Sequence, residues 1–310
     1  AWLHMARQDD AGASRHIEAG LRWASKIEDA VRRSETEGQL LTLSGVVAIR
    51  LSHLEEARRT LMAVLSRGEA LGAPRLQLEA LDNLADIASK LGQWNDTAAW
   101  GERMLALSDS IGSAGDVARA HLRRAEAAEA RGDTASAIRW HEQDLVIHRA
   151  TADRRMEAIT LRFLAGLNLR QGDARTALQC SLDSQALHLD LNEPLEACLA
   201  AAIAAHCQFH LGQPAAALEG LDAVLVRLRG EMAEYPANET IALRWRCHQV
   251  LQALSDERAA PMLKQLHADV QATAAERTDA ADRERLIQTI PDFRDIVAAY
   301  AGRGGQGSAP

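Results

Sequence analysis

Apolar side chains recur along most of the chain at intervals of three and four residues, which places them on one face of an α-helix. One such stripe consists of Leu81, Leu84, Ala85, Ala88 and Leu91, and a second one follows it with Trp94, Ala98, Gly101 and Leu105. Ala, Leu, Arg and Glu are abundant beside Val, Ile and Thr, a mixture that favours helices over strands. We therefore predict an all-α protein.

The same pattern returns every 40 residues. The period is marked by glycines that precede Gln or Asp, namely Gly92, Gly132, Gly172 and Gly212. A small residue stands seven positions before each glycine, at Ala85, Ala125, Ala165 and Ala205. Another stands five positions after it, at Thr97, Ala137, Ala177 and Ala217. One period upstream, Gly45, Ser52 and Ala57 keep the frame.

Each period predicts one helical hairpin. The glycine ends the first helix in a left-handed conformation, and the small residues let two helix axes approach closely. A single hairpin cannot bury its apolar stripe alone, so neighbouring hairpins stack into an α-solenoid with an extended concave surface.

These small positions resemble the eighth and twentieth positions of the tetratricopeptide repeat (TPR). The resemblance implies a right-handed superhelix. The period exceeds the usual repeat of about 34 residues, and the proline near the end of the usual second helix is missing. The extra residues lengthen the helices or their connecting loops, as in the long-repeat TPR domains of bacterial signalling ATPases.

The repeats divide the sequence into four regions. We expect a truncated TPR-like unit at 1–37, five repeats at 38–237, a degenerate repeat with capping helices at 238–301, and a disordered tail at 302–310. The degenerate repeat is suggested by Leu254-Ser255-Asp256, which echoes Leu211-Gly212-Gln213. The chain opens inside an amphipathic pattern, so we expect it to be cut from a longer protein.

The segment 250–291 resembles the C-terminal ending of large bacterial regulators. Their TPR array follows an ATPase module of the signal-transduction (STAND, or AAA-like) type, and many carry a class III adenylate/guanylate cyclase or a DNA-binding domain at the N-terminus. This resemblance implies a sensory or autoregulatory array.

Composition excludes several other roles. The net charge is −8, and basic clusters without interspersed acids are missing, so we expect no direct binding of nucleic acid. The four cysteines show no CxxC spacing and are expected to be reduced thiols. Without a signal peptide or a long apolar run, the sequence predicts a cytoplasmic protein that does not enter a membrane.

The sequence contains no GK[ST] loop, GxSxG, HExxH or dinucleotide fingerprint, so we expect no catalysis and no cofactor in this segment. Any ATPase or cyclase would lie upstream. His206 and His210 share a helical face beside Cys207, a spacing that permits metal binding. No carboxylate adjoins them, so we favour a structural role and predict no metal site. We also interpret Trp100 and Trp140, one period apart, as packing residues between repeats rather than a ligand-stacking pair.

In the TPR frame, the first helix of each repeat lines the concave groove. The candidate groove residues carry mixed charge and are Asp82, Asp86, Arg119, Glu126, Arg162, Arg170, His206 and His210. They could form a binding groove or an ordinary solvated face. Because Asp82 and Asp86 occupy places where chaperone-binding TPR domains present Lys and Asn, an acidic peptide terminus is a poor ligand there.

Three functions are consistent with these observations. The first is a regulatory module that binds a protein or peptide, or its own upstream ATPase or cyclase domains. The second is a free-standing peptide receptor or adaptor. The third, a metal-dependent hydrolase centred on His206 and His210, is the least supported.

Overall fold

A computed structural model describes residues 9–51, 53–275 and 280–304. The described residues form fifteen α-helices and no strand. Contacts divide the chain into two compact units, Ala1–Ile147 and His148–Pro310, which we call unit 1 and unit 2. The all-α prediction is confirmed.

Helices alternate between the first and second members of successive hairpins. The first helices are α2 (Ala30–Arg50), α4 (Pro74–Lys90), α6 (Ala114–Ala130), α8 (Arg154–Gln171), α10 (Pro194–His210) and α12 (Ala237–Ala253). The second helices are α3 (Leu54–Leu71), α5 (Trp94–Ile111), α7 (Thr134–Ala150), α9 (Ala174–Asp190), α11 (Pro214–Arg229) and α13 (Ala259–Ala275). The flanking helices are α1 (Asp10–Ala24), α14 (Ala280–Thr289) and α15 (Pro291–Gly304).

Within each unit, helices that follow one another in sequence pack together, as α5 does with α6 and α9 with α10. Successive first helices also touch, as α4 does with α6 and α10 with α12. Consecutive packing of this kind is the architecture of an α-solenoid, which confirms the predicted fold class.

The turns inside the second to fifth hairpins have the predicted left-handed glycine. Gly92 has φ 69°, and its counterparts Gly132, Gly172 and Gly212 also have positive φ. The residue after each of these glycines donates its backbone N–H to the carbonyl five residues before it, as Gln93 does to Ala88. The turns between hairpins also contain a residue with positive φ, and only two of the four are glycine. These residues are Gly72, Gly112, Ala152 and Asn192.

The residues beyond the usual repeat length lie in the helices. In the repeat that begins at α4, residues 91–93 connect the two helices and residues 112–113 lead to the next repeat. The small residues are buried where two helices meet, and Ala85, Ala125 and Ala165 have no exposed surface. A Cβ added at Gly45 would lie 2.8 Å from Cγ of Leu61, so α2 and α3 approach too closely for any larger residue.

Unit 2 ends in a hairpin followed by two further helices. Helices α12 and α13 pair as a sixth hairpin, and Ser255 has φ 56° at the turn that echoes Gly212. Helices α14 and α15 pack on α13 around a core that includes Leu266 and Ile296. Residues 302–304, expected in the tail, belong to α15; residues 1–8 and 305–310 lie outside the described residues. The four region boundaries otherwise stay a prediction.

None of the helices in the described part of the chain combines the length and the apolar character needed to cross a bilayer.

Candidate functional site

In unit 1, Arg123 joins three of the predicted groove carboxylates. Its Nε donates to Asp82 Oδ1 at 2.8 Å, and its Nη1 donates to Glu126 Oε2 at 3.2 Å. Asp86 Oδ1 lies 3.9 Å from the same Nη1. Because Asp82 and Asp86 belong to α4 and Glu126 belongs to α6, this guanidinium ties two successive first helices together.

A glycine in the neighbouring helix makes room for the arginine. A Cβ at Gly101 of α5 would lie 3.2 Å from Cβ of Arg123 and 3.0 Å from Cγ of Arg124. The missing side chain lets α6, which carries Arg123, lie close to α5. Only 16% of the Arg123 side chain remains exposed.

More exposed bases surround this cluster. Arg119 is 49% exposed; its Nη1 lies 3.6 Å from Asp82 Oδ2, and it also pairs with Asp116. Lys90 Nζ lies 2.8 Å from Asp86 Oδ1. The sequence-predicted residues Asp82, Asp86, Arg119 and Glu126 therefore form one network. We call it, together with Arg123, the unit 1 charge row.

Burial leaves some of these charges poorly compensated. Burial raises the pKa of Glu126, and although Arg123 lowers it, Asp86 and Asp82 raise it further, so it stays above its ordinary value. For Arg123, burial lowers the pKa, but Asp82 and the other carboxylates raise it above its ordinary value. In the unit 1 charge row, Arg123 therefore stays charged, and its one guanidinium is shared by Asp82, Asp86 and Glu126.

In unit 2, one ion pair joins two first helices and another joins a first helix to α15. Arg162 Nε of α8 lies 3.3 Å from Glu196 Oε2 of α10, but neither atom makes a hydrogen bond. Arg246 Nη2 of α12 lies 3.6 Å from Asp292 Oδ1, which α15 supplies. Arg162, Glu196, Arg246 and Asp292 form what we call the unit 2 charge row.

Burial disfavours the charged forms here as well. Burial lowers the pKa of Arg162. The attraction of Glu196 opposes this shift, and the repulsion of Arg246 adds to it. Burial raises the pKa of Asp292, although Arg246 and Arg162 oppose the change. Charged groups that burial destabilises in this way are typical of functional sites, although structural ion pairs also show the effect.

His206 and His210 lie beside this row on α10, with ring centroids 5.0 Å apart. Burial, followed by the proximity of His210 and Arg246, lowers the pKa of His206 to about 4. Within the described residues, no three His, Cys, Asp or Glu side chains come together as ligands of one metal ion. The cation Arg246 lies close enough to His206 to affect its pKa.

The predicted set is only partly brought together. Asp82, Asp86, Arg119 and Glu126 meet in unit 1, whereas Arg162 and His206 lie near Arg246 in unit 2. Arg170 lies at the exposed end of α8. The sequence pattern did not single out Arg123, Glu196, Arg246 or Asp292. Only Arg123 had a signal that could have found it, since it lies four residues after Arg119 on the same face.

The two repeated tryptophans pack in different ways. Trp100 lies against the core that joins α3, α4 and α5, so it does contact the preceding repeat. The ring of Trp140 lies tilted against that of His121 of its own repeat, with ring centroids 5.2 Å apart, and Arg124 Cζ lies 4.0 Å from the centroid of the Trp140 ring. The interpretation as packing between repeats is supported for Trp100 and stays a prediction for Trp140.

No family model and no curated protein sequence matches the chain. Solved structures do resemble it. BtubC (BKLC) from P. vanneervenii has a TM-score of 0.65 at 18% identity, over 74% of this chain and 92% of that protein. A STAND protein with a tetratricopeptide repeat sensor, from Pyrococcus horikoshii, has a TM-score of 0.60 at 12% identity. The match covers 88% of this chain and 44% of that protein.

The fold is that of tetratricopeptide-like repeat proteins. A third structure of this type is NprR in complex with its cognate peptide NprX. It has a TM-score of 0.55 at 13% identity, over 96% of this chain and 85% of NprR. Identities this low show a shared tetratricopeptide-like fold, and function has to be argued from the site.

Proposed function

We propose that the chain is a non-catalytic module that binds a protein or peptide along its two charge rows, and that it forms the C-terminal sensory arm of a larger bacterial signalling ATPase or nucleotide cyclase. One observation carries the proposal: partly buried charges on the first helices and on α15 remain poorly compensated, and Arg162 Nε and Glu196 Oε2 lie 3.3 Å apart without a hydrogen bond. Burial raises the pKa of Glu126 and Asp292 and lowers the pKa of Arg162.

Peptides fit this chemistry well. A peptide backbone offers a donor and an acceptor at each residue, and its side chains can supply charge of either sign. Both rows mix arginines with carboxylates, so a ligand with both charges could replace part of the internal pairing. An enzyme substrate would instead require a nucleophile or a general base placed to react.

Each row is shared by helices from different repeats, which suggests how binding could be transmitted. In unit 1, the pairs that a ligand would perturb lie between α4 and α6. A ligand that binds one arrangement of these helices more tightly shifts the population towards it. An attached ATPase would respond to that shift, with a coupling of about 1–3 kcal/mol.

Two similarities support two versions of this role. The P. horikoshii STAND protein carries its tetratricopeptide repeats as a sensor within a longer chain. NprR is seen with a cognate peptide, which supports the alternative of a free-standing receptor or adaptor. In-frame translation of the genomic DNA upstream of Ala1 separates them. A long reading frame with a GK[ST] loop favours the sensory arm, and a nearby start codon favours the receptor.

If an ATPase module is found, its turnover tests the regulatory role. Deleting residues 1–310 should change the rate of ATP hydrolysis, and Glu126→Gln with Arg246→Gln should reproduce part of that change. Glu142→Gln, at an exposed position of α7, is the matched control and should have no effect. An ATPase rate that the deletion leaves unaltered would rule out the sensory arm.

A further inference from the structure

A hollow of about 450 Å³ lies between two second helices of unit 1, and none of its lining residues belongs to the unit 1 charge row. Arg58, Arg59 and Met62 of α3 form one wall, and Asp96 and Trp100 of α5 form the other. The floor consists of side chains of α4, namely Leu84, Ile87 and Ala88. A second hollow, of about 460 Å³, shares Arg59 and continues towards α2.

The repeat explains why this space is empty. Position 58 corresponds to 98, 138, 178 and 218 in the later repeats, which hold Ala98, Ile138, Leu178 and Leu218. Leu178 packs against the core cluster that contains Cys207 on the next first helix. The equivalent pair in the first repeat is Arg58 and Ile87, which line the hollow. Arg58 turns outward, with 47% of its side chain exposed, and pairs with Glu55.

The walls suggest what would bind. Met62 has 44% of its surface exposed, and the ring of Trp100 provides an aromatic wall. Together with Ile87, these side chains suit one large aliphatic or aromatic side chain, which would take the place that Leu178 fills in a later repeat. A buried anchor of this kind typically carries much of the energy of a protein interface.

The charges on the walls indicate which residue should stand beside that apolar anchor in the ligand. Among the described residues, no ion pair includes Arg59; its Nε donates to the Glu55 carbonyl at 3.5 Å, which leaves the other guanidinium nitrogens for a ligand. A carboxylate beside the anchor would pair with Arg59. Asp96 on the opposite wall would repel that carboxylate, so it favours the orientation that places the acid on the α3 side.

We propose that this hollow docks a partner protein segment through one large apolar side chain followed or preceded by an Asp or Glu. The site is separate from the charge rows, and it does not depend on the function proposed above. Its occupant completes the inter-repeat packing that Leu178 provides within the chain.

The test uses the full chain and a phage library of random short peptides. Phage are selected on the wild type and depleted on Arg58→Leu, a variant in which the chain fills its own hollow. We expect the surviving peptides to share an apolar residue next to an acid. If no peptide survives the depletion, or if the survivors lack an acidic residue, the proposal is wrong.

The best surviving peptide is then synthesised with a fluorophore and its affinity is measured by fluorescence polarisation. Arg59→Glu should weaken binding about tenfold or more, because it replaces the ion pair with repulsion. Met62→Glu, which introduces the residue found at Glu102 and Glu142, should also weaken it. Arg139→Glu makes the same charge change at the equivalent position two repeats later and should leave the affinity unchanged. Equal binding by the Arg59 and Arg139 variants contradicts the proposal.

Two further measurements complete the test. Circular dichroism should show that Arg58→Leu melts no earlier than the wild type, since it removes a void. Sedimentation of the chain alone checks the other occupant: association that Arg58→Leu abolishes would assign the hollow to a second copy and overturn the proposal of a separate partner.

Discussion

Arg123 of α6 and Asp82 of α4 form an ion pair between successive repeats, with 2.8 Å between Nε and Oδ1. Both side chains are less than one fifth exposed, at 16% and 17%. The pair is therefore shielded from water and salt far more than most pairs on the surface of this chain.

Replacing Arg123 with Met should lower the free energy of unfolding by about 3 kcal/mol, because it leaves Asp82 and Glu126 partly buried without their shared partner. Urea denaturation followed by circular dichroism measures the change. Arg119→Met is the control: its side chain is 49% exposed, so the loss should stay below about 1 kcal/mol. Equal losses in the two variants would mean that Arg123 behaves as a surface residue.

The pKa of His206 predicts a loss of stability in acid. Its folded pKa of about 4 lies below the ordinary value of 6.5, so the unfolded chain binds the proton more readily between these values. The stability that the neutral ring contributes is present above pH 6.5 and is lost as the pH falls towards 4. The slope for this one group reaches at most about 1.4 kcal/mol per pH unit.

Removing the imidazole tests this sign. In His206→Gln, the free energy of unfolding should change less steeply between pH 6.5 and pH 4 than in the wild type, as judged by urea titrations at several pH values. His53→Gln replaces a histidine whose side chain is 61% exposed and should leave the slope as it is. If the free energy of unfolding of His206→Gln changes with pH as steeply as that of the wild type, the burial of His206 does not cause the loss of stability in acid.

Two helix glycines should respond to alanine in opposite directions. In a helix interior, alanine is usually favoured over glycine by about 1 kcal/mol. Gly166→Ala in α8 should show this gain, because no atom lies within 4 Å of the added Cβ. Gly45→Ala should instead destabilise the chain by about 1–3 kcal/mol, because its Cβ would meet the buried side chain of Leu61 at 2.8 Å.

Thermal melts of the two glycine variants give the comparison. The expected result is a higher melting temperature for Gly166→Ala and a lower one for Gly45→Ala. A shift in the same direction for both would show that helix propensity, rather than the contact between α2 and α3, decides the outcome.

The sequence predicted the hairpins well because their requirements are local. A left-handed turn favours glycine, and close helix contact requires a small side chain, so Gly92 and Ala85 reveal both from their spacing. The starts of the helices were less clear. The first helices begin at Pro74 and Pro194, four residues before the repeat frame that starts near Leu78 and Cys198. The reason is that proline at the first turn, rather than the periodic stripe, marks the start.

The charge rows could be predicted only in part. Spacing placed Asp82 and Glu126 on one face, but it could not show that Arg123 lies between them, since that depends on the packing of α5 against α6 at Gly101. Asp292 was harder still. It lies outside the repeats, and only the return of α15 brings it to Arg246.

The turns between hairpins show that one backbone conformation accepts different residues. Gly72, Gly112, Ala152 and Asn192 all have a positive φ, although two of them carry a Cβ that makes it costly. The N–H of Asp153 donates to the carbonyl of His148, and the N–H of Glu193 donates to that of His188, so the path is held where glycine is absent. A search for this repeat that required glycine at every turn would therefore miss two of these four turns.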